Sequence, residues 1–458
     1  MRAPGEAYVC VMQEQRSTMR ELIWLAIPVA LSQISDMVTV MADTVMVGHV
    51  GTVDLAAATL ANSVWVVAAL FNLGFMVAIT PKAGAAWGGG DTKDFARTVR
   101  AGTIASLLIG VALVAVLMVL APFLQVFGAP ADVTSLAIPY FMWIVASMLP
   151  RVGIAVLKQT AEAMSNTRIA LSIAIVANLA NIGLNWVFIY GNLGMPAMGV
   201  EGAGVATFLS RMIGLGCVVA AYRYGKTFRV LRTAMQGLAT KVTWNEVGTM
   251  LRTGLPIAGQ LILEGFGFAT GAVMMGWLGA TPLAAHQIAM NLASLTFMVS
   301  LGISSAATIM ISNAVGRRDV SSVQRNGKAA LIAVIVWNLF TAAVFFVFRN
   351  VLPQLYSADP AVMHIASNLL LWAALFQLFD GTQTVGLGML RGVHDVYVPT
   401  AIAGASYALV GIPLGYAAAF HTHLGPGGIW LGYLLALALA STLYVVRYRI
   451  VVARIRVH

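Results

Sequence analysis

A chain of 458 residues that is 59% hydrophobic and only 10% charged is not an ordinary soluble protein, because soluble domains carry about 25% charged residues. Its net charge of +10 would suggest nucleic acid if the basic residues formed a patch, but they fall between apolar runs, where membrane topology accounts for them and nucleic-acid binding is excluded. The two cysteines, Cys10 and Cys217, provide neither a disulfide framework nor a metal-ligand spacing.

Residues 1–20 read as a polar tail, irregular over 1–18, with Met12 and Met19 as alternative starts. No cleavable signal peptide is evident, since the first apolar run is too long for one and contains two aspartates. A helix needs about 20 apolar residues to cross a bilayer. Runs of that kind fall near 21–46, 53–80, 98–122, 133–158, 168–190, 200–222, 249–277, 282–312, 325–349, 361–388, 397–420 and 427–450, which makes twelve. The even-numbered connections and the C-terminal tail carry nearly all of the Lys and Arg. They include Lys82, Lys93, Arg97 and Arg100, then Lys158 and Arg168, then Arg223 to Arg252, then Arg317 to Lys328, then Arg391. The odd connections together hold only Arg349. By the positive-inside rule both termini and all even connections are then cytoplasmic, as in a multi-pass protein of the bacterial inner membrane.

The chain repeats itself. MVGHVG (46–51) matches MMGWLG (274–279) at an offset of 228, which also pairs Pro28 with Pro256. LQVFGAPADV (124–133) matches PQLYSADPAV (353–362) at 229, and GVEGAGVA (199–206) matches GPGGIWLG (425–432) at 226. Six helices separate the copies, so they share one orientation. Such parallel halves enclose a central cavity and rock about it. The expected fold is therefore an all-α membrane protein of twelve transmembrane helices in two pseudo-symmetric six-helix lobes around a central cleft. The lobes span 21–222 and 249–450, joined by a cytoplasmic linker over 223–248 and followed by a cytoplasmic tail over 451–458.

Four of the seventeen acidic residues lie well inside spans: Asp36 and Asp43 in the first, Glu264 in the seventh and Asp380 in the tenth. The other thirteen read as connection, tail or helix-end residues. A carboxyl at the centre of a membrane helix costs about 2.5–3.5 kcal/mol to insert, and such groups mark ion or proton paths. Asp36 and Asp43, seven residues apart, return to nearly the same helix face and should look into one cavity. Asp36 also aligns with Glu264 through the repeat, whereas Asp380 aligns with Arg151. These acids suit a shared proton or, with amide oxygens, a hard cation such as Na⁺. Asn181, Asn185 and Thr207 are candidates to complete the first site. Gln287, Asn291 and Gln383 are candidates for a polar cavity, with interhelical hydrogen bonding as the plainer role for each. His286 reads as a hydrogen-bonded structural residue. Arg151 and Arg211, inside spans, either snorkel to an interface or pair with one of the acids. The 23 Met, 10 Trp and 19 Phe would suit walls that re-pack around flat cations, although most must face lipid or pack.

These residues resemble a known family. ADTVMVGHVG (42–51), LNWVFIYG (184–191), GVEGAGVAT (199–207), LGATPLAAHQIAMN (278–291) and FDGTQTVGLGMLRGVHD (379–395) are similar to multidrug and toxic compound extrusion transporters of the bacterial NorM branch, over about 21–449. The resemblance implies two six-helix lobes with a cleft between them. It also implies export of organic cations such as dyes and fluoroquinolones against inward H⁺ and/or Na⁺, by a monomer among membrane lipids without a cofactor. It makes Asp43 the helix-1 acid, with Asn181, Asn185 and Thr207 as its polar surround. Glu264 and Asp380 become the acidic pair of the second lobe and the place for a bound Na⁺. Asp36 departs from the family pattern. A flippase for lipid-linked oligosaccharides would want a basic cavity rather than this acidic one, and an enzyme would want HExxH, GxSxG or paired histidines, none of which occurs.

Overall fold

The computed structural model describes residues 4–237 and 242–455. The side chain of Cys10, residues 238–241 of the expected linker and 456–458 of the expected tail lie outside it. Twelve helices are long and apolar enough to span a membrane. They are α1 (Ser17–Gly48), α2 (Thr52–Gly88), α3 (Thr92–Val126), α4 (Ala131–Ala163), α5 (Thr167–Phe188), α6 (Gly199–Tyr224), α7 (Trp244–Leu278), α8 (Ala280–Gly316), α9 (Val320–Phe348), α10 (Pro360–Gly392), α11 (Tyr397–Phe420) and α12 (Pro426–Ile455). No strand occurs among the described residues. Two local expectations change. The segment expected to be irregular is helical from Pro4 onward, continuous with α1, and the linker contains a short helix, Arg229–Gly237.

The internal repeat recurs in the backbone. Gly90 (φ 77°) and Arg318 (φ 55°) end α2 and α8 in the left-handed region, and Ser165 (φ 59°) and His394 (φ 63°) do the same after α4 and α10. Gly199 (φ 55°) and Gly425 (φ 51°) mark the starts of α6 and α12. The residues that follow the first pair cap the next helices. The Asp91 carboxylate accepts the backbone N–H of Lys93 and of Asp94 at 3.0 and 2.9 Å, and that of Asp319 accepts the Ser322 N–H at 3.0 Å. A side-chain oxygen in this position satisfies N–H groups that the helix cannot.

The described chain divides into two compact units, one of residues 31–258 and the other of 1–30 with 259–458. These differ from the lobes expected from the sequence in two places, because α1 and α7 each change unit partway along. Both changes fall just after a proline, Pro28 and Pro256. A proline inside a helix removes one backbone hydrogen bond and clashes with the preceding turn, so a helix can alter its path there. Two glycines at repeat-equivalent positions receive the exchanged halves. A Cβ at Gly302 would stand 2.7 Å from the Ala26 carbonyl oxygen, and one at Gly74 would stand 2.3 Å from the Ala258 nitrogen.

The core of unit 31–258 gathers Tyr140, Phe141, Ile144 and Met148 of α4 with Ala203 of α6. The other unit has two clusters. One centres on Ile309, Met389, Leu390 and Tyr444, and takes in Leu22 of α1; the other centres on Met275, Leu370, Phe376 and Trp430. Many large apolar side chains remain exposed, among them Val119, Phe123, Leu179, Phe266, Leu339, Phe346 and Val347. So much apolar surface would aggregate in water, whereas in a bilayer it is the lipid-facing surface.

Candidate functional site

In unit 31–258 the two acids of α1 meet α5 as two rungs. Asn178 Nδ2 donates to Asp36 Oδ1 at 3.0 Å and to Ser35 Oγ at 2.8 Å. Seven residues along both helices, Asn185 Nδ2 donates to Asp43 Oδ1 at 2.5 Å and to Asn181 Oδ1 at 3.3 Å. Asn181 Nδ2 in turn donates to Thr207 Oγ1 at 3.5 Å. The four residues Asp43, Asn185, Asn181 and Thr207 therefore form one chain across α1, α5 and α6. Asn185 is fully buried and its Oδ1 has no partner among the described residues. Asp43 is half-buried, whereas Asp36 is exposed. A carboxylate beside an unpartnered amide oxygen offers hard oxygen ligands to a proton or a small cation. Asn178 is the site residue that sequence reasoning missed. Its signal was present, because Asn178 and Asn185 repeat at the same seven-residue spacing as Asp36 and Asp43.

Arg151 and Arg211 form no ion pair with the acids among the described residues and gather on Trp65 instead. Their guanidinium carbons lie 5.4 and 5.1 Å from the Trp65 ring centroid. Each makes one hydrogen bond, Arg151 Nη1 to the Ala69 carbonyl at 3.5 Å and Arg211 Nη1 to Ser147 Oγ. Both are half-buried inside their spans. Neither is ion-paired among the described residues, although Arg211 lies within electrostatic reach of Asp43, and Arg151 of Asp36.

The second acidic centre lies between α7 and α10. Glu264 Oε1 accepts from Gln260 Nε2 at 2.8 Å and from Gln383 Nε2 at 2.6 Å. Arg391 Nη2 donates to Gln260 Oε1 at 2.8 Å, which extends the chain by one charge. Asp380 sits one turn before Gln383, is 5% exposed, and interacts electrostatically with Glu264. It has no hydrogen bond among the described residues. An ionised carboxylate buried without a partner is costly. Tyr407 lies within reach of both acids. It sits on a π-helical segment of α11, Ala405–Gly411, a geometry that is rare and concentrated at functional sites. Gln260 and Arg391 also escaped the sequence reading. Gln260 precedes Glu264 by one helical turn, and Arg391, assigned to the tenth connection, occupies the last turn of α10.

Other candidates stand apart from these centres. Gln287 and Asn291 are exposed on α8 without hydrogen-bond partners among the described residues. His286 is 1% exposed and packs by its ring on Trp430 and Tyr433, at 5.7 and 6.4 Å between centroids. Its Nδ1 has no partner among the described residues, so aromatic packing rather than hydrogen bonding holds it there. Glu162, a helix-end acid in the last turn of α4, is 3% exposed, and its Oε1 has no partner among the described residues. No group of three or more His, Cys, Asp or Glu among the described residues is arranged to hold a metal ion.

Twelve spans, two repeated halves and a carboxylate–amide centre in each unit define a polytopic membrane protein of the secondary-transporter class. The MatE family model matches the chain twice, over residues 28–187 and 256–417, and the two matches begin one repeat offset apart. The chain is 35% identical over 440 residues to a probable multidrug resistance protein NorM of Mesorhizobium japonicum, covering 94% of each. It is 32% identical over 449 residues to the multidrug resistance protein MdtK of Yersinia pseudotuberculosis, covering 96% of each. Among solved structures it resembles an outward-facing multidrug resistance MATE family transporter, with a TM-score of 0.87 at 20% identity over 96% of this chain and 97% of that one. It also resembles the bent form of the Vibrio cholerae transporter VcmN, with a TM-score of 0.86 at 19% identity over 97% and 99%. The chain belongs to the MatE family, as a transporter of the NorM type.

Proposed function

We propose that this protein is a multidrug efflux antiporter of the bacterial inner membrane, exporting lipophilic organic cations in exchange for inward H⁺ or Na⁺ by alternating access. The observation that carries the reading is the pair of carboxylate–amide centres inside the spans, Asp43 with Asn185, Asn181 and Thr207, and Glu264 with Gln260, Gln383 and Asp380. Relatives named multidrug resistance proteins at 32–35% identity over nearly the whole chain support the efflux of several drugs. The chain works as a monomer, with both termini cytoplasmic, and needs no cofactor.

The test is dye efflux in everted vesicles with a pH gradient and a Na⁺ gradient imposed separately. One of the two gradients alone should drive efflux, and Asp43→Asn and Glu264→Gln should each abolish it while the protein still inserts. Asp380→Asn should lower it at least partly. Wild-type rates for both Asp43→Asn and Glu264→Gln would mean that the carboxylates are structural.

A further inference from the structure

We propose that Arg151, Arg211 and Trp65 form a subsite that holds the carboxylate of a transported aromatic compound. The inference rests on the efflux reading above and assigns the place where a second charge on the substrate is held. Three observations carry it. Two guanidinium groups lie against one indole, at 5.4 and 5.1 Å from its centroid, inside membrane spans. A guanidinium has five N–H donors, and each of these arginines spends one on the protein. The Trp65 Nε1–H is buried and has no partner among the described residues.

Two cations so placed repel one another, which destabilises the empty arrangement unless an anion arrives. The protein's own anions do not close on them. Asp36 and Asp43 are within electrostatic reach, yet they are held by Asn178 and Asn185, and neither arginine is ion-paired among the described residues. The unit thus presents carboxylates on α1 and guanidiniums on α4 and α6. That is the charge complement of a molecule carrying an amine at one end and a carboxylate at the other. The planar fork of Arg matches a carboxylate in two-point fashion, and an indole face suits a flat ring beside it. A lysine would supply the charge without the fork.

The experiment compares a zwitterionic fluoroquinolone with its ethyl ester, which keeps the amine and loses the carboxylate, in everted vesicles under the driving gradient. The readout is the ratio of zwitterion to ester efflux. Arg151→Gln, Arg211→Gln and the double variant should each lower that ratio, by roughly ten-fold for the double variant, and Arg211→Lys should restore it only in part. A parallel fall for both compounds would show that the arginines serve only as counter-charges for Asp36 and Asp43, and would overturn the subsite. An unchanged ratio, or a wild-type protein that exports the ester but not the zwitterion, would overturn it as well. If the wild type exports neither compound nor any cationic dye, the efflux reading has failed. The subsite is then judged on purified full-length protein in detergent, with benzoate and benzyl alcohol as probes. Thermal stabilisation by benzoate alone, lost in the double variant, supports the subsite; its absence in the wild type overturns it.

Discussion

Asp36 and Asp43 occupy the same face of α1 and both take a proton donor from α5, but only Asp43 belongs to a longer polar chain. Asn185, which bonds it, is fully buried and links it to Asn181, whereas Asn178 bonds an exposed carboxylate. A hydrogen bond to a charged group away from water is worth about 1.5–3 kcal/mol, and removing one partner leaves the other to bear its own desolvation. Asn185→Ala should therefore lower coupled efflux by about ten-fold or more, and Asn178→Ala by much less, measured as dye efflux per amount of protein in the membrane. An Asn178→Ala defect equal to that of Asn185→Ala would place the working acid at Asp36 instead. The acids themselves were legible in the sequence because charge inside an apolar run is expensive and stands out. So were Asn181, Asn185, Thr207 and Gln383, which the structure brings to them. Asn178, Gln260 and Arg391 were not. An amide within a span is ambiguous by itself, and Arg391 looked like one more basic residue at a helix end. Only the facing helix shows what these three bond. Nor could spacing reveal that Arg151 and Arg211 converge on Trp65, since that contact joins three helices distant in the chain.

At the scale of elements, all twelve spans were legible from hydropathy, and the prolines of α1 and α7 were visible as a repeated pair. The exchange of helix halves was not, because it is made by long-range contacts with Gly74 and Gly302 that leave no local periodicity. Those contacts set a testable cost. A side chain at Gly74 must push the α7 backbone away from a Cβ position 2.3 Å from the Ala258 nitrogen, so Gly74→Val should destabilise the protein by about 3 kcal/mol or more. Gly183→Ala, in a helix with nothing within 4 Å of the new methyl, should be neutral or stabilising by up to about 1 kcal/mol. Thermal unfolding followed by size-exclusion chromatography measures both, and equal stability for the two variants would disprove the close packing. The helix caps give a second element-scale expectation. Hydrogen bonds from Ser321 and Ser322 hold the Asp319 carboxyl well below the usual carboxylate range. A lowered pKa means that the stabilisation is present above the ordinary carboxylate value near 4 and is lost as pH falls below it. Asp319→Ala should thus cost about 1 kcal/mol, by the same amount at pH 5 and pH 8. A cost that changed between those values would point to a different group.

At the scale of the whole chain, the arrangement of basic residues and the count of spans depend on each other. Lys93, Arg97, Arg317, Arg318, Arg325 and Lys328 belong to the α2–α3 and α8–α9 junctions, while Arg349 is the lone basic residue at an odd-numbered one. One span more or fewer would put basic clusters on both sides of the membrane, against the positive-inside rule. The same parity makes the two repeats parallel, since six spans separate equivalent residues. The orientation can be tested with single cysteines in a background in which Cys10 and Cys217 are both replaced by serine. Thr92 and Ala358 are exposed, at the α2–α3 and α9–α10 junctions respectively. In intact spheroplasts a membrane-impermeant maleimide should label Ala358→Cys and spare Thr92→Cys, and permeabilised cells should show both labelled. The α2–α3 and α9–α10 junctions would then lie on opposite faces, with the basic one inside. Labelling of Thr92→Cys from outside would invert the orientation. Labelling of both from outside would break the parity of the spans, and with it the parallel relation between the repeats on which alternating access by two like halves depends.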